Sequence, residues 1–138
     1  MNHAWDKALR ALAALSGAVA GAFGGVDMVL KVLIAFMAID YVTGLIVGWL
    51  GRSGKTDTGR LDSKAGFAGL MKKGLMMLMV LMAALLDRAL GGENAVFRSL
   101  MVWFYIANEG LSILENLTLA GVPFPARIRE ALEQLQER

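Results

Sequence analysis

From Val32 to Leu50 the chain passes through nineteen residues with one charged side chain, Asp40. Two further stretches are nearly as bare: 74–86 carries no charge, and between Arg98 and Arg127 only Glu109 and Glu115 do. Such runs constrain a fold more than any motif. Crossing a hydrocarbon core about 30 Å thick takes about 20 mostly apolar residues. Backbone polar groups inside that core must be satisfied within the segment, which selects helices. The sequence therefore predicts an all-α integral membrane protein with three to four transmembrane helices and a short C-terminal cytoplasmic amphipathic helix. Composition agrees, since 57% of the residues are hydrophobic and only 19% charged, against roughly 25% charged in an ordinary globular protein.

The runs place the helices at 28–50, 71–90 and 97–118 within a single domain over 1–138. The second has only 13 uncharged residues between Lys73 and Asp87. It reaches spanning length if Lys72, Lys73 and Arg88 snorkel to the interfaces. A first segment, 8–25, is Ala/Gly-rich, and three readings stay open for it. It spans the bilayer, it lies flat at the interface, or it is a signal peptide cleaved near Ala18-Val19-Ala20. Residues 51–70 read as a flexible polar loop, and 122–138 as a tail whose Ile128, Leu132 and Leu135 recur at helical spacing. Asp27 with Lys31, and Asp87 with Arg88, read as interfacial anchors.

Orientation follows from lysine and arginine. The stretch 51–73 holds six of the 14 basic residues, so it belongs in the cytoplasm together with the C-terminal tail. If the first segment spans, the N-terminus joins them. Eleven basic residues, Arg138 included, then lie inside, and Lys31, Arg88 and Arg98 outside. If it does not span, the division is nine to five.

Polar side chains inside these helices are the candidate functional residues. Asp40 falls near the middle of 28–50, and Asn108 and Glu109 near the middle of 97–118. An acid at that depth costs roughly 2.5–3.5 kcal/mol, and each Leu, Ile, Phe or Val returns about 0.3–0.6. The helix of Asp40 offsets its acid on that scale. The helix carrying Asn108, Glu109, Ser112, Glu115 and Asn116 is marginal as an isolated lipid-facing span. These five form a stripe along one side, which faces either protein within the monomer or other protomers and a water-filled lesion. The absence of polar side chains in 74–86 favours the second reading. Gly17, Gly21 and Gly25, and the pair Gly44 and Gly48, have the spacing that lets helix backbones approach closely in lipid.

Other classes find little support. There are no cysteines and one histidine, His3, so thiol, triad and metal chemistry lack their residues, and neither an enzyme nor a cofactor is expected. A net charge of +2 is too small to argue for nucleic acid. Gly54-Lys55-Thr56 resembles the end of a phosphate-binding loop, but that motif needs a glycine where Trp49 stands. A small ion channel or transporter subunit would also place carboxylates at the midplane. A regulatory protein acting through its tail is a further alternative.

Three stretches carry a family resemblance: AIDYVTGLIVGW at 38–49, SKAGFAGLMKK at 63–73, and YIANEGLSILENLTLAGVPFPARIREALEQL at 105–135. They are similar, in that order, to the toxin secretion/phage lysis holin family. The resemblance implies a small protein of the bacterial cytoplasmic membrane that associates with copies of itself. It implies a lesion through which an endolysin, or in some members a toxin, leaves the cell. It implies no enzyme activity and no cofactor. Together with the residues, it assigns Asp40 and the stripe Asn108, Glu109, Ser112, Glu115 and Asn116 to lining or sealing that assembly.

Overall fold

A computed structural model describes residues 2–137; Arg138, counted above among the inner basic residues, lies outside them. The described residues form five helices and no strand: α1 (His3–Ala22), α2 (Met28–Trp49), α3 (Ser63–Ala89), α4 (Val96–Ala120) and α5 (Ala126–Glu137). Local chemistry sets the boundaries. Asp27 is extended and its carboxylate accepts from the Leu30 N–H at 3.0 Å, capping α2. Asp62 caps α3 in the same way through the Lys64 N–H. At the end of α2, Gly51 adopts φ +73°, and its N–H and that of Arg52 return to Gly48 O and Val47 O. That left-handed residue satisfies the last carbonyls of the helix without the steric cost a Cβ would add. The same pair of hydrogen bonds closes α1, α3 and α4.

The expected loop 51–70 is shorter than the sequence indicated. Helix α3 begins at Ser63 and takes in residues through Leu70, because Asp62 supplies a cap and Ala65, Ala68 and Leu70 favour helix. Gly66 costs propensity but brings α3 close to α2: a Cβ there would meet the Tyr41 hydroxyl at 3.5 Å. The first helix runs from His3 to Ala22 in place of the expected 8–25.

Long-range pairs give the topology. Asp27 meets Arg98 near the starts of α2 and α4, and Gly44 meets Asn116 farther along both, so these two helices run parallel. Helix α3 runs against them, with Asp87 at the Arg98 end and Tyr41 beside Gly66 at the other. Leu30, Leu33, Met37, Met76, Val80, Val102 and Ile106 form the buried core of this trio. Outward, Ile34, Ile39, Val42 and Ile46 of α2 and Leu75, Leu78, Met82 and Leu85 of α3 stay exposed. Apolar surface on that scale marks a partner or a membrane. Among the described residues, two helices are long and apolar enough to cross a bilayer, α2 and α3. Helix α4, interrupted by its polar residues, is not one of them.

Helix α1 buries no residue and touches α3 where the Arg88 guanidinium donates to Gly21 O. Within the chain the small-residue ladder is therefore not a packing seam. Gly17 and Gly21 have nothing within 4 Å of a Cβ, and Gly25 lies past α1 in the turn at φ +91°. Gly44 and Gly48 do pack, against Asn116 Nδ2 and the Leu61 side chain. Helix α5 folds back along α4, where Leu132 covers Gly110. A methyl group on Gly110 would lie 2.8 Å from Leu132 Cδ1. Leu132 and Leu135 are half-buried there and Ile128 is exposed.

Candidate functional site

On α2, Asp40, Thr43 and Gly44 occupy one face at spacings of three and four; on α4, Glu109, Ser112 and Asn116 do the same. The parallel packing of α2 and α4 turns these faces toward each other, and α3 adds Lys73 from the side. The Lys73 Nζ donates to Asp40 Oδ2 and to Glu109 Oε2, each at 2.6 Å. Both carboxylates are almost sealed from solvent, with Asp40 5% and Glu109 3% exposed. Asn116 Nδ2 donates to Asp40 Oδ1 at 3.1 Å, to the Asp40 carbonyl at 3.2 Å and to Thr43 Oγ1 at 2.9 Å. Among the described residues no buried side-chain nitrogen or oxygen lacks a partner. At 1.5 Å per residue, Asp40 lies roughly 18 Å from the start of α2 and 14 Å from its end, so the cluster sits near the middle of that helix.

Lys73 corrects the expectation of a snorkelling side chain. The sequence held one signal for it: thirteen helical residues between Lys73 and Asp87 span only about 20 Å, short of a 30 Å core. At least one flanking charge had to enter the protein, and two opposite charges waited on the neighbouring helices. The supposed lack of polar partners inside the monomer is corrected with it. The expected stripe also divides. Glu109 and Asn116 join the network, Asn108 and Ser112 line the cleft beside it, and Glu115 is exposed.

That cleft, about 120 Å³, lies between α2, α3 and α4 and opens toward the 51–62 loop. It has room for several waters. Tyr41, Gly44, Gly48, Gly66 and Gly69 form its walls, Asp40, Lys73 and Glu109 its floor, and Ser53, Lys55, Thr56, Arg60 and Lys72 its mouth.

A second polar cluster closes the opposite end. Arg98, 6% exposed, grips both Asp27 oxygens at 2.9 and 3.0 Å and donates to the carbonyls of Phe23 and Gly25. This bidentate guanidinium holds the Asp27 carboxyl below its ordinary value, against the opposing effect of burial. Gly24, at φ +82°, leaves room for it, since a Cβ would sit 3.2 Å from Arg98 Cδ and Nε. Asp87, read from sequence as an interfacial anchor, is buried and accepts from the Phe97 and Arg98 N–H groups at 2.9 and 2.8 Å. It thus caps α4, whose own N-cap, Ala95, has no polar side chain.

Among the described residues, an all-helical fold with two helices apolar enough to cross a bilayer and buried charges paired between helices suits a membrane protein, and comparison gives its family. The chain belongs to the bacteriophage holin family, whose model matches residues 17–137; this is a non-enzymatic family of membrane proteins. An uncharacterized 14.9 kDa protein of Clostridium perfringens is 41% identical over 116 residues, covering 84% of this chain and 83% of its own. An uncharacterized protein of Listeria innocua is 39% identical over 118 residues, covering 84% and 78%. A probable holin of Bacillus phage phi105 is 36% identical over 107 residues, covering 78% and 73%. No solved structure matches.

Proposed function

We propose that this protein accumulates in a bacterial cytoplasmic membrane, associates with copies of itself and opens a lesion that releases an endolysin or a toxin. Family membership supports the reading, and the Asp40–Lys73–Glu109 network is the observation that carries the mechanism. With its charges paired between three helices, the monomer presents a mostly apolar exterior and resides in lipid without a leak. Buried ion pairs of this kind are costly to desolvate and contribute little net stability. Helices held by such a network separate readily once water reaches the charges. In an assembly with a wet interior, Asp40, Asn108, Glu109, Ser112, Glu115 and Asn116 then face water, and the apolar faces of α2 and α3 meet lipid or neighbours. Helices α2, α3 and α4 span in this scheme, with the 51–62 loop inside by the distribution of basic residues. Gly17 and Gly21 of α1, around whose Cα hydrogens the monomer leaves open space although the Gly21 carbonyl accepts from Arg88, are free for contacts between copies.

Induced expression in a bacterial host, with release of a cytoplasmic enzyme followed alongside potassium leakage, tests the reading. Release of both is expected. Potassium leakage alone would replace it with a small-channel function, in which Asp40 and Glu109 line a narrow pore.

A further inference from the structure

The mouth of the central cleft concentrates positive charge that the fold does not use. Lys73 and Arg98 are committed to carboxylates, whereas Lys55, Arg60 and Lys72 converge on the mouth. Among the described residues none of these three takes part in a salt bridge. Of the nearby carboxylates, Asp62 is occupied as the cap of α3, Asp57 of the same loop is exposed and does not line the cleft, and Asp40 and Glu109 lie deeper, held by Lys73. Two hydroxyl side chains, Ser53 and Thr56, are half-buried between the cations.

The loop that presents these groups is built. Ser53 N donates to Gly59 O at 2.9 Å, Thr56 Oγ1 to Arg60 O at 2.9 Å, and Gly59 N to Thr56 O at 3.2 Å. Gly59 adopts φ +73°, and a Cβ there would fall 2.6 Å from Gly51 O, so the closure of the loop requires glycine. Leu45 and Leu61 border the same cleft and stay exposed, and Trp49 next to it is 79% exposed. An arginine fork, two ammonium groups and the Ser53 hydroxyl, whose proton no group among the described residues takes, suit a phosphate group. The apolar border suits the chains that such a group carries in a bilayer, and basic pockets between membrane helices hold anionic headgroups by this chemistry.

We propose that the cleft mouth is a phosphate-binding site, filled at the membrane surface by the headgroup of an anionic phospholipid. This goes beyond the lesion reading and rests only on residence in a membrane, so the two stand or fall by different measurements. The test uses the full chain with Trp5→Phe and Trp103→Phe, leaving Trp49 as the fluorophore, in phosphatidylcholine vesicles. Brominated phosphatidylglycerol or brominated phosphatidylcholine is then added as quencher. Preferential quenching by the anionic lipid is expected. Lys55→Gln with Lys72→Gln should lower that preference by roughly tenfold. Removing an equal charge outside the mouth, Arg52→Gln with Lys64→Gln, should leave it within about twofold. Equal loss in both pairs, or no preference in the parent, would overturn the proposal. Inorganic phosphate is added separately, against chloride of matched ionic strength. A response of Trp49 to phosphate without any lipid preference would retain the phosphate chemistry and overturn the lipid as its source.

Discussion

Lys73 is the residue on which the interior depends. Its ammonium lies 2.6 Å from two carboxylates that have almost no access to water, so its removal leaves two uncompensated charges. Breaking a buried pair by deleting one partner costs about 3–5 kcal/mol. Lys73→Met should therefore lower thermal stability in detergent micelles by that order. Adding Asp40→Asn and Glu109→Gln to it should recover most of the loss, since no charge then remains to be desolvated. An unchanged melting temperature for Lys73→Met would show that the pairing contributes nothing. At the other end, the depressed Asp27 carboxyl predicts a pH dependence of fixed sign. Its folded value lies below the ordinary 3.8, so its contribution is complete above that pH and is lost as pH falls through the folded value. Unfolding midpoints measured on acidification should show this loss in the parent and not in Asp27→Asn.

At the scale of elements, α4 is the helix that the others are arranged to serve. Asp87 of α3 caps its start, Lys73 of α3 and Asp40 of α2 satisfy its Glu109 and Asn116, and Leu132 of α5 covers Gly110. That last contact has no spare room. Gly110→Ala should displace α5 while leaving the α2–α3–α4 trio folded, because the single added methyl clashes with Leu132 of that peripheral helix and meets Phe36 of α2 only at 3.4 Å. Limited proteolysis in micelles should then cut residues 126–137 several times faster than in the parent, with unchanged helical content. Equal cleavage rates would mean that the docking of α5 does not depend on Gly110. Helix α1 stands apart from this arrangement, since it buries nothing and meets the trio at its Arg88 contact.

For the whole molecule, the proposed function has the closed monomer and an open assembly differ in what faces the stripe of α4. Glu109→Gln keeps the size of the side chain and removes its charge, which weakens the hold of Lys73 on α4 and leaves its hold on Asp40. If the network seals the monomer, lysis by the variant should come earlier than by the parent at equal expression, read as the time from induction to loss of culture turbidity. Unchanged timing would count against any role for the network in opening.

The helical class and the apolar runs were legible in the sequence, because charge-free stretches of spanning length leave the backbone no other way to satisfy itself. So was the placement of Asp40 and Glu109 near the middles of their helices, which needs only counting along a helix. The start of α2 follows from the cap Asp27, three residues before the N–H it satisfies. The same local signal at Asp62 lay within a stretch expected to be loop, so α3 begins eight residues before the expected 71. Pairings across the chain were decided otherwise. Lys73 reaches carboxylates 33 and 36 residues away, and Arg98 reaches Asp27 at a separation of 71. Which of several charges become partners depends on the parallel packing of α2 with α4 and on the side from which α3 approaches. Periodicity assigns a residue to a face, but only the tertiary structure decides what that face meets.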